Sequence, residues 1–299
     1  MSASDATEDP SGPFVEHRSL LFTVAYEILG SAADAEDVVQ ETWLRWSART
    51  DESDAAEIRD PRAYLVRIAT RQSLNRLRTQ QRRRETYVGP WLPEPLLTTP
   101  DVAEDVALAD SVSTAVLMVL ETLGPTERAV FVLREVFDVP YEEISEAVDK
   151  TPAAVRQIAH RARSHVQARR PRQDVTAAER DRVLERFLAA GATGDLQSLM
   201  DVLAPDVVLI TDGGGHKKAA LRPIHGRDKA LRFLAAVSQG PMTGEVLTVN
   251  GGPALALRLD GELDTVATFR IEDGVVTALY LLRNPEKLRR LGQVVDLAR

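Results

Sequence analysis

Two short apolar stripes between residues 141 and 166 predict a pair of helices joined by a tight turn. In the first helix the apolar side chains are Ile144, Ala147 and Val148. In the second they recur at helical spacing at Val155, Ile158, Ala159, Ala162 and Val166. Thr151 is a suitable N-cap for the second helix, and Pro152 takes the first helical position, where a missing N–H costs nothing.

The opposite face of the second helix is rich in hydrogen-bond donors. It carries Arg156, Gln157, His160, Arg161 and Ser164, with Arg163 at its edge. A helix with one buried apolar face and an opposite face of hydrogen-bond donors is suited to bind in the major groove of DNA. An ordinary helical hairpin with a solvated basic face has the same pattern, so this stretch alone leaves both interpretations open.

Three further helices are predicted between residues 14 and 84. The first, residues 14–30, is amphipathic and closes at Gly30, and Ser31 begins a capping-box-like start for the next. That second helix has tryptophans on one side and a largely acidic stripe on another, made of Asp34, Asp37, Glu41 and Arg45. The stripe is typical either of a solvent-exposed surface or of a face that docks on a basic groove of another protein. Sequence periodicity does not distinguish these two interpretations.

The third helix follows Asp60-Pro61 and carries eight arginines without one acidic residue between positions 62 and 84. Its apolar side holds Leu65, Val66, Ala69 and Leu77. The opposite side holds Arg67, Arg71, Asn75 and Arg78. The planar arginine fork grips phosphate and stacks on bases, and a purely structural helix would normally balance its charges with glutamates. The pattern therefore favours contact with nucleic acid.

Residues 85–110 are expected to form a linker rather than a helix or strand, because they contain four prolines, a glycine and an acidic end. Its apolar anchors, which are expected to hold it along a surface, are Tyr87, Trp91, Leu92, Leu96 and Leu97. Helical periodicity returns from about Ser111, and Pro125 begins the helix before the helical pair.

Beyond residue 176 the pattern becomes α+β. Helices are predicted near 177–190, 196–203 and 227–237, and a strand at 207–211 is followed by a glycine-rich loop. Four alternating runs follow at about 244–250, 253–259, 263–271 and 274–283. Asp-Gly or Gly-Gly pairs separate these runs, which predicts a curved antiparallel sheet with helices on one face.

Composition narrows the function classes. The 299 residues include no cysteine, which excludes disulfides, thiolate metal sites and a cysteine nucleophile, and no metal or cofactor is expected. The net charge is −8, yet the eight arginines of 62–84 and a second basic block at 150–176 are local, and DNA responds to local potential. The acidic N-terminus (1–13) is expected to be disordered. No apolar run approaches the roughly 20 residues of a membrane span, so the protein is expected to be soluble and cytoplasmic.

Three segments together resemble a known family. Residues 14–84, with DAEDVVQETWLRW and AYLVRIATRQSLNRLR, resemble domain 2 of bacterial extracytoplasmic-function sigma factors. Residues 111–170 resemble sigma domain 4 with its helix-turn-helix, and 177–291 resemble a SnoaL-like α+β cone, followed by a tail at 292–299. This order is similar to the subgroup with a fused C-terminal SnoaL-like domain, whose hallmarks are WLPEP, DGGGK and NPDKL motifs. Here WLPEP spans 91–95, His216 displaces the loop lysine to Lys217, and Glu286 replaces the aspartate.

The resemblance implies an alternative sigma factor that binds core RNA polymerase, recognises promoter DNA and initiates transcription without catalysing chemistry itself. The polymerase contacts, on the β′ clamp, would be Asp34, Asp37, Gln40 and Glu41, and domain 4 would meet the β flap. The −10 element would be held by Arg67, Arg71, Asn75 and Arg78. The −35 element would be read by Arg156, Gln157, His160 and Arg161, with Arg163 or Lys150 on phosphate.

The resemblance also implies that the fused domain regulates the factor by touching the linker and the sigma domains, so that no separate anti-sigma factor is required. The residues concerned are Trp91, Leu92, Pro93, Glu94, Asp212, Gly213, Gly214, Gly215, Lys217, Asn284, Pro285 and Lys287. Three alternatives stay open: an inert scaffold, a DNA-binding regulator that works without polymerase, and a cyclase or isomerase tethered to a DNA-binding module. Catalytic candidates for the last are Asp212, His216 and His225, and a small ligand in the cone is neither required nor excluded.

Overall fold

The computed structural model describes residues 11–50, 58–99, 105–169, 176–193, 195–237, 242–292 and 294–298. Most of the N-terminus that is expected to be disordered therefore lies outside the described residues. The chain divides into two compact units. The first comprises Met1–Gln80, Leu123–His165 and Leu297–Arg299, and the second comprises Gln81–Thr122 and Val166–Asp296.

The helices of the described residues follow the predicted pattern closely. In chain order they are α1 (Gly12–Leu29), α2 (Ala32–Thr50), α3 (Pro61–Arg84), α4 (Val106–Ser111), α5 (Thr114–Leu120), α6 (Pro125–Phe131), α7 (Tyr141–Val148), α8 (Pro152–Gln167), α9 (Ala177–Thr193), α10 (Leu196–Val202), α11 (Arg227–Val237) and α12 (Pro285–Leu288). A π-helical turn, Val132–Val136, continues α6. None of the described helices is both long and apolar enough to cross a membrane.

The first unit is built around α1, which is apolar on nearly all sides over its second half and is correspondingly buried there. Gly30 ends α1 in the left-handed conformation at φ 67°, as the sequence predicts, and its N–H donates to the Tyr26 carbonyl. Aromatic contacts join the helices, with ring centroids 4.9 Å apart for Phe14–Trp43 and 6.1 Å apart for Trp46–Tyr64.

The helical pair α7–α8 has the predicted turn. Asp149 ends α7 in the left-handed conformation at φ 55°, and Thr151 Oγ1 accepts a hydrogen bond from the Ala154 N–H at 3.2 Å. The apolar stripe of α8 is buried, with Val155, Ala159 and Val166 between 0% and 2% exposed. This fixes the opposite, donor-rich face of α8 toward solvent.

The second unit contains one sheet. Its strands are β1 (Leu97–Thr98), β2 (Leu203–Asp212), β3 (Ile224–His225), β4 (Met242–Val249), β5 (Gly252–Leu259), β6 (Glu262–Glu272), β7 (Val275–Leu282) and β8 (Val294–Val295). The strand order is β3-β2-β7-β6-β5-β4-β1-β8. The α+β class is confirmed, but the sheet is mixed rather than purely antiparallel, since β2 pairs with β7 and β1 with β8 in parallel.

Two of the three turns between β4, β5, β6 and β7 lie at the predicted Asp-Gly pairs, whereas the first lies at Asn250-Gly251 rather than at the predicted Gly251-Gly252. Both central residues of each turn have positive φ, at Asn250-Gly251, Asp260-Gly261 and Asp273-Gly274. That is the conformation of the two-residue hairpin turns for which Asn-Gly and Asp-Gly are preferred. One face of the sheet packs against α9, α10 and α11, and the other carries a second apolar cluster that includes Leu92.

The linker differs from its prediction. It contains a strand, β1, and α4 begins at Val106 rather than near Ser111. The strand forms because Leu97 lies opposite Val249 of β4 and Val294 of β8, partners that are distant in sequence. Asn250 fixes the neighbouring backbone: its Oδ1 accepts from the Leu96 N–H at 2.9 Å, and its Nδ2 donates to the Val112 carbonyl at 2.8 Å. Residues 111–122 lie in the same unit as the linker.

Candidate promoter interface and linker cluster

The acidic stripe of α2 faces an arginine of α3. Arg76 lies 3.2 Å from Asp34, 3.1 Å from Asp37 and 2.5 Å from Glu41. Burial acts to lower the pKa of Arg76, but the hydrogen bond and charge of Glu41, followed by the charges of Asp37 and Asp34, raise it above its usual value. Gln40 is exposed beside them. Arg76 of the arginine-rich α3 therefore has its acidic partners on α2, which the absence of acidic residues within α3 does not reveal.

The predicted −10 residues lie together on one side of α3. Arg71, Asn75 and Arg78 are exposed, and Arg67 is half-buried beside Tyr64, with its guanidinium carbon 5.2 Å from the ring centroid. Arg67 Nη1 lies 2.6 Å from Glu146 Oε2, and Arg71 Nη2 donates to the Glu146 carbonyl at 2.6 Å. Two of the four residues thus contact a residue of α7.

The predicted −35 residues lie along the solvent face of α8, except Lys150, which lies in the turn before it. Lys150, Arg156, Gln157, His160 and Arg161 are exposed. Arg156 pairs with Glu142 at 2.9 Å, and Arg163 makes two hydrogen bonds to Glu135, at 2.8 and 2.6 Å. The hydrogen bond and charge of Glu135 raise the pKa of Arg163. Arg163 is thereby held at the edge of the face, as the sequence places it.

In the second unit, Asp212 at the end of β2 is fully buried and accepts four hydrogen bonds. Its Oδ1 accepts from the Tyr87 hydroxyl at 2.5 Å and the Gly214 N–H at 3.1 Å. Its Oδ2 accepts from the Leu92 N–H at 2.9 Å and from Lys287 Nζ at 2.7 Å. Both carboxylate oxygens are occupied by protein donors, two of which belong to the linker.

Lys287 is the positive partner in this cluster. Its Nζ also donates to the Leu92 carbonyl at 2.6 Å and lies 3.4 Å from the centroid of the Trp91 ring. Burial lowers the pKa of Lys287 to about 8, against the opposing effect of the Asp212 charge. The guanidinium carbon of Arg84 lies 4.7 Å from the same Trp91 ring, so two cations contact this tryptophan.

The remaining motif residues support the cluster unequally. Asn284 caps α12 through its side chain and donates to the Tyr87 hydroxyl at 2.8 Å, with Pro285 at the first helical position. A Cβ added at Gly214 would collide with Asn284, so this loop must approach it closely. Pro93 is buried and Glu94 half-buried. Lys217 points elsewhere: it binds Asp264 at 3.1 Å, beside Arg283.

The candidates for catalysis are not brought together as an acid–base pair. Asp212 has both oxygens engaged, His216 lies 3.7 Å from Glu286 with about half of its side chain exposed, and His225 is exposed on β3.

Comparisons with known proteins agree with this domain order. The family models for Sigma-70 region 2 and Sigma-70 region 4 match residues 14–83 and 113–166. The ECF RNA polymerase sigma factor SigJ of Mycobacterium tuberculosis is 37% identical over 294 residues, with 90% of each chain covered. The chain belongs to the ECF RNA polymerase sigma factors. A probable ECF sigma factor of that organism, SigI, is 32% identical over 94% of this chain and 95% of its own.

The crystal structure of SigJ covers 92% of this sigma factor and 96% of its own chain, with a TM-score of 0.74 and 35% identity. The fused C-terminal domain is therefore part of the shared architecture. As a sigma factor, the protein binds core RNA polymerase, recognises promoter DNA and initiates transcription. The enzyme-centred alternative is not favoured, because these relatives are sigma factors.

Sequence reasoning missed two residues that hold the linker of this sigma factor. The sequence pattern presents Tyr87 as an apolar anchor, whereas its hydroxyl joins Asp212 and Asn284. Asn250 precedes the Gly251-Gly252 pair to which the pattern assigns the turn, although an Asn-Gly pair is itself a turn signal. The hydrogen bonds of Asn250 to the distant Leu96 and Val112 leave no pattern in the sequence around Asn250.

Proposed function

We propose that the C-terminal α+β domain regulates this sigma factor by holding the linker between regions 2 and 4. The observation that carries the proposal is the buried Asp212–Lys287 pair, which together makes three hydrogen bonds to Tyr87 and Leu92. Because the linker sets how far regions 2 and 4 can separate, docking it on the domain couples that separation to the state of the cluster.

Within region 2, we propose that Asp34, Asp37, Gln40 and Glu41 meet the β′ clamp of the polymerase. The three carboxylates already converge on one guanidinium, Arg76, which supports their ability to bind a basic groove. The substitution Asp37→Arg should abolish capture of β′ in a pull-down with the full-length protein. Asp206→Arg, at an exposed position in the C-terminal domain, is the control.

For promoter recognition, we propose that Arg67, Arg71, Asn75 and Arg78 hold the −10 element, while α8 reads the −35 element and region 4 meets the β flap. Arg156→Ala should cost about 1–3 kcal/mol at one base position if Arg156 makes a bidentate base contact. A uniform loss across sequences would assign Arg156 to a phosphate.

We further propose that the C-terminal domain is not an enzyme and that no separate anti-sigma factor is needed, with the protein acting in the cytoplasm alongside polymerase. The engagement of both Asp212 oxygens by protein donors supports a structural role for this carboxylate.

In vitro run-off transcription with core polymerase tests the regulatory proposal. Asp212→Asn leaves Lys287 buried without its counter-charge, which destabilises such a pair by about 3–5 kcal/mol and should free the linker. We expect transcript yield to change about tenfold or more, whereas the exposed Asp206→Asn should behave like the wild type. Equal yields from wild type and Asp212→Asn at several promoters would exclude regulation through this cluster.

A further inference from the structure

We propose that Glu146 of region 4 is an intramolecular competitor of promoter DNA for the arginines of α3. The inference rests on the proposed −10 role of Arg67 and Arg71. It adds a contact that must break before those arginines can bind DNA.

Both arginines converge on this single residue. Arg67 binds the Glu146 carboxylate, and Arg71 binds the Glu146 backbone carbonyl, each at 2.6 Å. The carbonyl lies in the last turn of α7, where helix carbonyls lack intrahelical partners and the helix dipole favours a cation. One residue therefore offers two acceptors to two arginines.

A carboxylate and a phosphate make the same demand on arginine. Each is an anionic oxygen acceptor for guanidinium N–H groups, and the Arg67 Nη1 that binds Glu146 Oε2 is not available to a phosphate while that contact persists. The two ligands compete for one binding position.

The geometry of promoters makes this competition unavoidable. The numbering of the −10 and −35 elements places them about 25 base pairs apart, which is about 85 Å of duplex at 3.4 Å per base pair. Regions 2 and 4 touch each other at Arg67 and Glu146, so they cannot occupy both elements while this contact persists.

The surroundings of the Arg67–Glu146 contact weaken it. The contact borders a cleft of about 200 Å³ lined by Asp60, Tyr64, Arg67, Glu143 and Glu146, among others. Burial, followed by the charge of Asp60 and later that of Glu146, raises the pKa of Glu143, while Arg62 opposes them. Three carboxylates thus lie near one another, and their repulsion offsets part of the attraction to Arg67.

The size of the effect follows from exposure. The Glu146 side chain is 62% exposed and that of Arg67 33% exposed, and exposed pairs contribute about 0.2–1 kcal/mol. Removing the carboxylate should therefore tighten DNA binding by about two- to fivefold. A contact of this strength delays binding without preventing it.

The test uses full-length protein and a fluorescein-labelled single-stranded oligonucleotide of mixed sequence, followed by anisotropy. Glu146→Gln should tighten binding about two- to fivefold. Asp149→Asn removes the same charge from the exposed end of α7 and keeps a residue that tolerates positive φ, so it should have a smaller effect. Equal tightening by both variants, or none by Glu146→Gln, would overturn the proposal.

A second measurement separates this proposal from the function on which it rests. In urea unfolding of the full chain, Arg67→Ala and Glu146→Gln should be non-additive, because each substitution removes the same contact, and additive losses count against the contact. If Arg71→Ala in the Glu146→Gln background leaves oligonucleotide affinity unchanged, the −10 role fails, while the unfolding result still judges the contact.

Discussion

At the scale of single residues, the linker cluster depends on the protonation of Lys287. A lysine in the unfolded chain has a pKa near 10.4, whereas burial lowers the pKa of Lys287 to about 8 in the folded protein. Between these two values the unfolded chain binds more protons than the folded one. Stability therefore rises with pH across this window, because Lys287 is neutral in the folded protein and the cost of burying its charge is removed.

We predict that the free energy of unfolding of the wild type rises by about 1–3 kcal/mol between pH 8 and about pH 10. Above about pH 10 it should fall, because burial and Asp212 raise the pKa of Tyr87 and the unfolded tyrosine ionises first. Urea denaturation across this range measures both limbs. Lys287→Met should abolish the rise and keep the fall, and an unchanged rise in that variant would contradict the assignment.

Gly214 offers a second test at this scale, with Gly261 as its matched control. Both have positive φ, at 60° and 84°, so alanine strains the backbone at either position by about 1–2 kcal/mol. Only at Gly214 would the new Cβ also collide with Asn284; nothing lies within 4 Å of it at Gly261. Gly214→Ala should therefore lower urea stability by about 1–3 kcal/mol more than Gly261→Ala. Equal losses would mean that the loop is free to move away from Asn284.

At the scale of helices, the contact between α1 and α6 contains a buried charge pair. Arg128 of α6 is 1% exposed, Glu27 of α1 is 0% exposed, and Arg128 Nε donates to the Glu27 carbonyl at 2.9 Å. Burial lowers the pKa of Arg128 to about 10, and the Glu27 charge opposes this shift. Region 4 is thereby joined to region 2 through a core that is not wholly apolar.

Removing one partner of this pair should be far more costly than removing both. Arg128→Met leaves Glu27 buried without its positive neighbour and should lower the free energy of unfolding by about 3–5 kcal/mol. The double variant Arg128→Met with Glu27→Leu should recover most of that loss, as buried pairs replaced by apolar groups often do. Thermal or urea unfolding measures both, and additive losses would show that the two side chains do not interact.

At the scale of the whole chain, local signals predicted the elements and their order but not their long-range pairing. Thr151-Pro152 and Gly30 indicate where helices begin and end, because a helix cap depends on neighbouring residues of the sequence. Asp260-Gly261 indicates a hairpin for the same reason. Leu97 gives no such signal, since β1 exists only because Val249 and Val294 lie beside it. The acidic stripe and the arginine helix were each recognised, yet their meeting at Arg76 was not, because charge patterns do not record which faces meet.

Deleting residues 283–299 removes Asn284, Lys287 and β8, and with them one arm of the linker cluster and the parallel partner of β1. From the first unit it removes only residues 297–299, among which Leu297 is buried and the Ala298 N–H donates to Thr23 Oγ1 at 3.1 Å. The first unit should therefore keep its cooperative unfolding transition, while the second unfolds at lower urea concentration.

Run-off transcription by the same truncated protein should differ from that of the full chain, since its linker is no longer held by Lys287. A truncation of 297–299 alone is the control, because it spares the cluster. If both truncations transcribe alike, the tail acts through Leu297 and Ala298 on region 2 rather than through the linker. If neither differs from the full chain at several promoters, the C-terminal segment has no part in regulation.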